Sequence, residues 1–192
     1  MKFLISFFIL ITCLQGNTTP VVRIMADNGS YGTGFFTTPV SLITAGHVCD
    51  FGKLSVMLEG QVYKEEARVR SSKYDLCLVT LDKAYPFAVI IPPLPSGSFY
   101  NGPNTYIGYP NEVLTVSYSE NILYSKCYAN DNTCGRTKLN AGPGASGSPI
   151  VGADNKLVGV IIETELPSAF NRFETVDNVR DFLETEVLNQ EQ

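Results

Sequence analysis

The sequence predicts an all-β protein, a sandwich or barrel arranged as two halves of six strands each with a helix at the end. Short runs rich in Val, Ile, Thr, Tyr and Phe recur along the chain, each bounded by Gly, Pro, Asn or Asp. Helical spacing of apolar residues is confined to the last stretch. Residues 87–103, rich in Pro, Gly and Ser, separate the two sets of runs and read as a linker. With 192 residues and 44% hydrophobic content, the chain is long enough to bury a proper core.

The elements follow in order. Residues 1–16, MKFLISFFILITCLQG, place one Lys before an apolar run too short to span a bilayer, the pattern of a signal peptide. Cleavage near Gly16 leaves a mature chain of 17–192, secreted or periplasmic, with no later run long enough to span a membrane. The run ending at Cys13 also faintly resembles a lipoprotein cleavage site, with Thr12 against it. The first half, about 20–86, offers strands at 20–25 (PVVRIM), 31–36 (YGTGFF), 41–45 (SLITA), 54–58, 61–70 and 75–81. Gly32 and Gly34 within the second run suggest a strand bend. The second half, about 104–174, offers strands at 105–109, 113–125, 136–139, 148–151, 156–162 and 172–174. Val176, Val179, Phe182, Leu183 and Val187 then fall at helical spacing and predict an amphipathic helix over about 176–189.

Charge excludes more than it assigns. The formal net charge is −5, without a Lys/Arg cluster, so a surface that tracks nucleic-acid phosphates is not expected. One histidine and no closely paired cysteines argue against a metal site, and no dinucleotide or P-loop fingerprint calls for a cofactor.

Chemistry is concentrated in AGPGASGSPIV, residues 141–151. Three glycines, two prolines and two serines in eleven residues preclude a regular helix or strand and require a specially shaped loop. Such a loop can aim consecutive backbone amides at one point, as stabilising the oxyanion of an acyl intermediate requires. A serine within it then needs a base, and His47, the sole histidine, is the ordinary candidate near neutral pH. The histidine in turn needs a carboxylate. Asp75 opens an apolar strand, where an unpaired charge would be unfavourable, whereas Asp50 lies too close in sequence and Asp82 sits in a turn.

Taken together, TPVVRI (19–24), GTGFF (32–36), LITAGHV (42–48), DLCLVTL (75–81), GPGASGSPIV (142–151) and LVGVI (157–161) resemble the trypsin/chymotrypsin-like serine peptidases, in that family's order. Within the family the similarity is to the bacterial high-temperature-requirement-like branch, without the peptide-binding domains that usually follow there. The resemblance implies two six-stranded antiparallel β-barrels of the chymotrypsin type, with the site in the cleft between them. It also implies Ser146 as nucleophile, His47 as general base and then acid, and Asp75 as orienting carboxylate. The N–H groups of Gly144 and Ser146 would form the oxyanion hole, and substrates would be proteins or peptides, with no cofactor. Ser148 stands where the family usually has glycine, which leaves two serines to choose between; Gly144 and Gly147 frame Ser146 and favour it. No terminus like that of an activated trypsin occurs near 17–22, which implies activity without zymogen cleavage.

By the same resemblance, Asn140, Ile162, Glu163 and Thr164 line the specificity pocket. Glu163 and Glu165 there either favour a basic or polar substrate side chain or face solvent. Cys49 lies two residues past His47 and Cys77 two past Asp75, so a meeting of His47 with Asp75 would bring the cysteines to bridging distance. Cys127 and Cys134 flank the turn-rich YANDNT, and a disulfide there would contribute roughly 2.5 kcal/mol. The alternative to the enzyme is a trypsin-fold binding module that has lost turnover.

Overall fold

A computed structural model of the chain describes residues 21–93, 95, 97, 99–126, 132–165 and 170–188. The expected signal segment, Cys13 and Cys127 lie outside the described residues.

The first half is a closed barrel of six antiparallel strands: β1 (Val21–Ala26), β2 (Tyr31–Thr38), β3 (Ser41–Ala45), β4 (Leu54–Leu58), β5 (Gln61–Arg70) and β6 (Leu76–Leu81), joined in the order β1-β2-β3-β6-β5-β4. One helical turn, α1 (Gly46–Cys49), follows β3. Register explains why β2, β3 and β6 are buried over most of their length. Phe36 pairs with Leu42 and Leu42 with Val79, forming a row that faces the barrel interior; Phe35, Ile43 and Leu78 form the adjacent row. Because side chains alternate across a strand, that second row points outward, into a core shared with Tyr106, Ile150 and Phe173 of the second half. Both faces are thus buried, and β5, which faces solvent, keeps its charges.

The glycines of β2 serve close packing rather than a bend. A Cβ on Gly34 would lie 2.6 Å from Ile24 Cδ1, and one on Gly32 would lie 2.7 Å from Val48. The irregularity of β2 falls instead between Phe36 and Thr38.

The second half is an antiparallel sheet of β7 (Asn104–Gly108), β8 (Thr115–Ser119), β9 (Ile122–Lys126), β10 (Thr133–Thr137), β11 (Pro149–Gly152), β12 (Leu157–Glu165) and β13 (Phe170–Thr175), in the order β8-β7-β11-β12-β13-β10-β9. The stretch 113–125, expected as one strand, is therefore two. Its halves form opposite edges of the sheet, and Glu120 and Asn121 join them at a corner, so the chain itself closes what hydrogen bonds leave open. The fold is a chymotrypsin-like double barrel.

Helix α2 (Val176–Phe182) begins where the side chain of Thr175 accepts from the N–H of Asn178, and it buries Val176, Val179 and Phe182. A wider π turn, Leu183–Val187, continues it. Among the described residues no helix is long and apolar enough to cross a membrane.

Candidate active site

β3 and β6 are neighbours, with Ala45 opposite Leu76, so the residues just beyond the end of one and just before the start of the other meet. The N–H of Gly46 donates to the carbonyl of Asp75 (2.9 Å), which anchors α1 over that junction. The Asp75 carboxylate then receives His47 twice: its backbone N–H reaches Oδ1 at 2.8 Å and its Nδ1 lies 2.7 Å from Oδ2. A carboxylate only accepts, so Nδ1 carries a proton, and whenever the ring is neutral Nε2 is its acceptor.

Burial pushes the Asp75 carboxyl upward, but the hydrogen bonds and charge of His47 and the charge of Arg70 outweigh it. The net effect holds Asp75 below the ordinary range. Arg70 reaches Asp75 Oδ1 at 3.2 Å and also donates to the carbonyls of Ser71 and Tyr74. Its guanidinium lies against Gly46, where a Cβ would approach within 2.2 Å, so a side chain there would push Arg70 aside.

The serine loop is built from tight turns. Ala145 N–H donates to the Gly142 carbonyl and Ser148 N–H to the Ala145 carbonyl, both at 3.0 Å, and Gly147 N–H reaches Ile161 O on β12 at 2.7 Å. Gly144 and Gly147 have φ of 91° and 89°, the left-handed region that favours glycine. Among the described residues, the N–H groups of Gly144 and Ser146 are the two in the stretch 144–148 that enter none of these backbone bonds.

Thr33, fully buried on β2, ties this loop to the first barrel. Its N–H donates to the Ser146 carbonyl (2.8 Å), and its hydroxyl donates to the Gly144 carbonyl (2.8 Å) while accepting from Tyr109 N–H (3.0 Å). Its own carbonyl accepts from the Thr44 hydroxyl at 2.7 Å. Sequence reasoning took GTGFF for a family motif and missed Thr33 as a connector. The available signal was a polar residue between two glycines in a buried strand.

Ser146 and Gly144 line a cleft of about 540 Å³ together with Tyr31, Pro143 and Phe51. The Phe51 ring meets that of His47 edge-on, 5.9 Å between centroids, so the histidine adjoins the wall of the cleft that holds Ser146. Ser148 is fully buried, and its Oγ packs where a Gly108 Cβ would come within 2.0 Å.

The residues expected around a specificity pocket lie on two segments joined through Asn171, which accepts from the Thr164 hydroxyl and donates to the Leu139 carbonyl. Asn140 is exposed, donates its N–H to Ser117 Oγ at 2.9 Å, and with Ala141 and Gly142 borders a second hollow of about 280 Å³. Ile162, at an irregularity of β12, is buried with the first-barrel core. Glu163 is exposed and paired with Arg172, and the Thr164 hydroxyl donates to Asn171 Oδ1 at 2.8 Å, so neither side chain borders the hollow beside Asn140. Cys49 and Cys77 form a disulfide, both buried. Cys134 is buried and disulfide-bonded, whereas its expected partner lies outside the described residues. Among the described residues no three His, Cys, Asp or Glu side chains gather as a metal would require.

Comparison with solved structures places three forms of Rv3671c from M. tuberculosis near this fold. An inactive serine-to-alanine mutant superposes with a TM-score of 0.74 at 15% identity, covering 89% of this chain and 88% of the other. The inactive form of the Rv3671c protease gives 0.72 at 16% identity (87% and 88% covered), and its active form 0.70 at 16% (87% and 80%). No curated protein matches the sequence. A family model described as a trypsin-like peptidase domain matches residues 32–160, a stretch that takes in His47, Asp75, the serine loop and the start of β12. The chain therefore belongs to the trypsin-like peptidase domain family.

Proposed function

We propose that the protein is an exported serine endopeptidase that hydrolyses peptide bonds through an acyl-enzyme, most similar to the high-temperature-requirement-like branch of its family. The observation that carries the reading is the doubly held Asp75–His47 pair, whose remaining ring nitrogen is an acceptor when the ring is neutral, beside a cleft lined by Ser146.

In this reading Ser146 Oγ attacks the carbonyl carbon of the scissile bond as His47 Nε2 takes its proton. The oxyanion that develops is met by the N–H groups of Gly144 and Ser146, a role supported by their absence from the loop's own bonding. Asp75 stays ionised and stabilises the imidazolium, in keeping with a carboxyl held below its ordinary range. Collapse of the intermediate breaks the C–N bond, and the leaving amine takes the proton from Nε2. Water then attacks the acyl group, gives its proton to Nε2, and releases the acid as Ser146 Oγ is reprotonated.

The exposure of Ser146 to the cleft and the burial of Ser148 favour Ser146 as the nucleophile. Export, to the periplasm or outside the cell, rests on the apolar start of the chain. The test is mass spectrometry of the protein after a fluorophosphonate, with Ser146→Ala as control. A single adduct on Ser146, absent from the control, is the expected result. No adduct on the folded protein would leave a binding module.

A further inference from the structure

Asp75 is gripped from behind as well as by His47. Its N–H donates to Glu174 Oε1 (3.1 Å), and Glu174, only 4% exposed on β13, receives Asn178 Nδ2 on its other oxygen (2.6 Å). Two further carboxylates of the C-terminal segment hold the preceding residues. Asp181 accepts from Tyr74 Oη (2.6 Å) and Lys73 Nζ (2.8 Å), and Glu186 accepts from the Ser71 hydroxyl (2.5 Å) and the Ser72 N–H (2.7 Å). Three acceptors from one short stretch thus take hydrogen bonds from the residues that lead into and include Asp75.

This arrangement is more than helix packing. The helix buries Val176, Val179 and Phe182 without help from these acids, and a carboxylate as buried as Glu174 is unfavourable unless its acceptors are used. Both of its oxygens face donors, and one of those donors is the backbone of the residue that orients the only histidine.

We propose that the C-terminal segment is a positioning clamp for Asp75, with Glu174 as its main grip and Asp181 and Glu186 as outer grips. The proposal rests on the serine-peptidase reading. Glu174 touches no reacting atom; it fixes the backbone from which Asp75 reaches His47. Small displacements of catalytic groups lower rates by up to about 100-fold, so the effect belongs in kcat rather than in substrate binding.

The test compares Glu174→Gln and the double variant Asp181→Asn/Glu186→Gln with the parent enzyme. The readouts are fluorophosphonate labelling, peptide hydrolysis and the proton resonance of the His47 Nδ1–H, unambiguous in a chain with one histidine. Glutamine supplies one acceptor where two are needed. Glu174→Gln is expected to label about 10- to 100-fold more slowly, with KM within about threefold and the His47 resonance displaced or broadened. The double variant, on the half-buried outer grips, is expected to lose about three- to tenfold while keeping the fold, and it decides the matter if Glu174→Gln does not fold. Labelling within about twofold of the parent with an unmoved His47 resonance, in every variant that folds, would overturn the clamp. A parent protein that takes no label would overturn the peptidase reading itself, and the clamp with it.

Discussion

His47 and Asp75 sit just beyond the adjoining ends of adjacent strands in a ring closed by hydrogen bonds on every side, whereas Ser146 comes from a loop between strands of a sheet whose edges meet only through a corner of chain. In the first barrel the pair is fixed redundantly, by α1, by both carboxylate oxygens, by Arg70 and by a disulfide two residues beyond each member. The serine loop is held within its own half by backbone turns and by the bond from Gly147 N–H to Ile161 O. It also depends on left-handed glycines and on Thr33, which belongs to the other half. The halves therefore teach different things about precision: one is held by pairing, the other by the absence of side chains and by a borrowed hydroxyl.

The comparison breaks most sharply at Gly147. A Cβ there would meet Thr33 O at 2.0 Å and Thr44 Oγ1 at 2.3 Å, on a backbone that already has positive φ. Gly147→Ala is expected to lower activity at least about 100-fold and stability by about 3 kcal/mol or more, because backbone and a buried hydroxyl cannot give way. Hydrolysis rates and denaturant melts check it; a variant with parental activity would mean that the loop is softer than its contacts imply.

On the opposite side of the comparison stands the disulfide. Cys49 and Cys77 are separated by 28 residues, and removal of the link by a double Cys→Ser change should lower stability by about 3–4 kcal/mol on the chain-entropy model. Because Asp75 and His47 keep their other partners, the residual folded enzyme should retain most of its activity. Loss of activity without loss of stability would show that the staple, not the hydrogen bonds, sets the pair.

Thr33→Val tests the borrowed hydroxyl directly. The substitution keeps shape but removes the donor to Gly144 O and the acceptor for Tyr109 N–H, at a fully buried site. A stability loss of about 2 kcal/mol is expected, with a larger effect on labelling at Ser146 than on the His47 resonance. Equal effects on both halves would argue that the two are not held separately.

Acid distinguishes the carboxylates around the pair. Asp75 is held low, so the stability it contributes is present above the ordinary carboxylate range and is lost as pH falls through its depressed value. Glu174 is pushed up, first by burial, with hydrogen bonds from Asp75 and Asn178 opposing, so its ionisation weighs against the fold as pH rises from the ordinary range through its raised value. On acidification Glu174 should take its proton before Asp75, seen as two carboxyl transitions by carbon NMR. The reverse order would mean that burial does not dominate at Glu174.

How far the sequence reached depends on the kind of contact. Strands of the first half were legible because alternating faces and turn residues mark them, and only Gly32 and Gly34 misled, since a glycine signals a bend and a close neighbour alike. The run 113–125 was legible as extended chain but not as two edges, because its corner at Glu120 and Asn121 depends on the sheet that it closes. His47 and Asp75 were legible as chemistry, and their meeting followed from β3 lying beside β6. Thr33 and Glu174 were not, since each acts on residues distant in sequence, and Arg70 was not, since nothing in its local sequence marks a contact with Asp75 five residues on. At the expected specificity residues the sequence left Glu163 either serving substrate or facing solvent; it is exposed and pairs with Arg172, opposite it across the β12–β13 pairing.

The smallest effect expected is also the one with the opposite sign. Among the described residues, Ser148 and Tyr106 each bury a hydroxyl that has no hydrogen-bond partner, and burial pushes the Tyr106 phenol up to about 12. Unmade hydrogen bonds of buried groups weigh against folding by about 1–3 kcal/mol, and deleting the hydroxyl removes that burden while opening little space. Ser148→Ala should therefore be neutral or stabilising by up to about 1 kcal/mol and should leave labelling at Ser146 intact. Placed beside Gly147→Ala, one position away, it separates a loop residue that the cleft depends on from one that merely fills the wall behind it. If Ser148→Ala abolished labelling while the protein stayed folded, the nucleophile would have to be reassigned, and with it the distinction between the redundantly held pair and the loop-held serine.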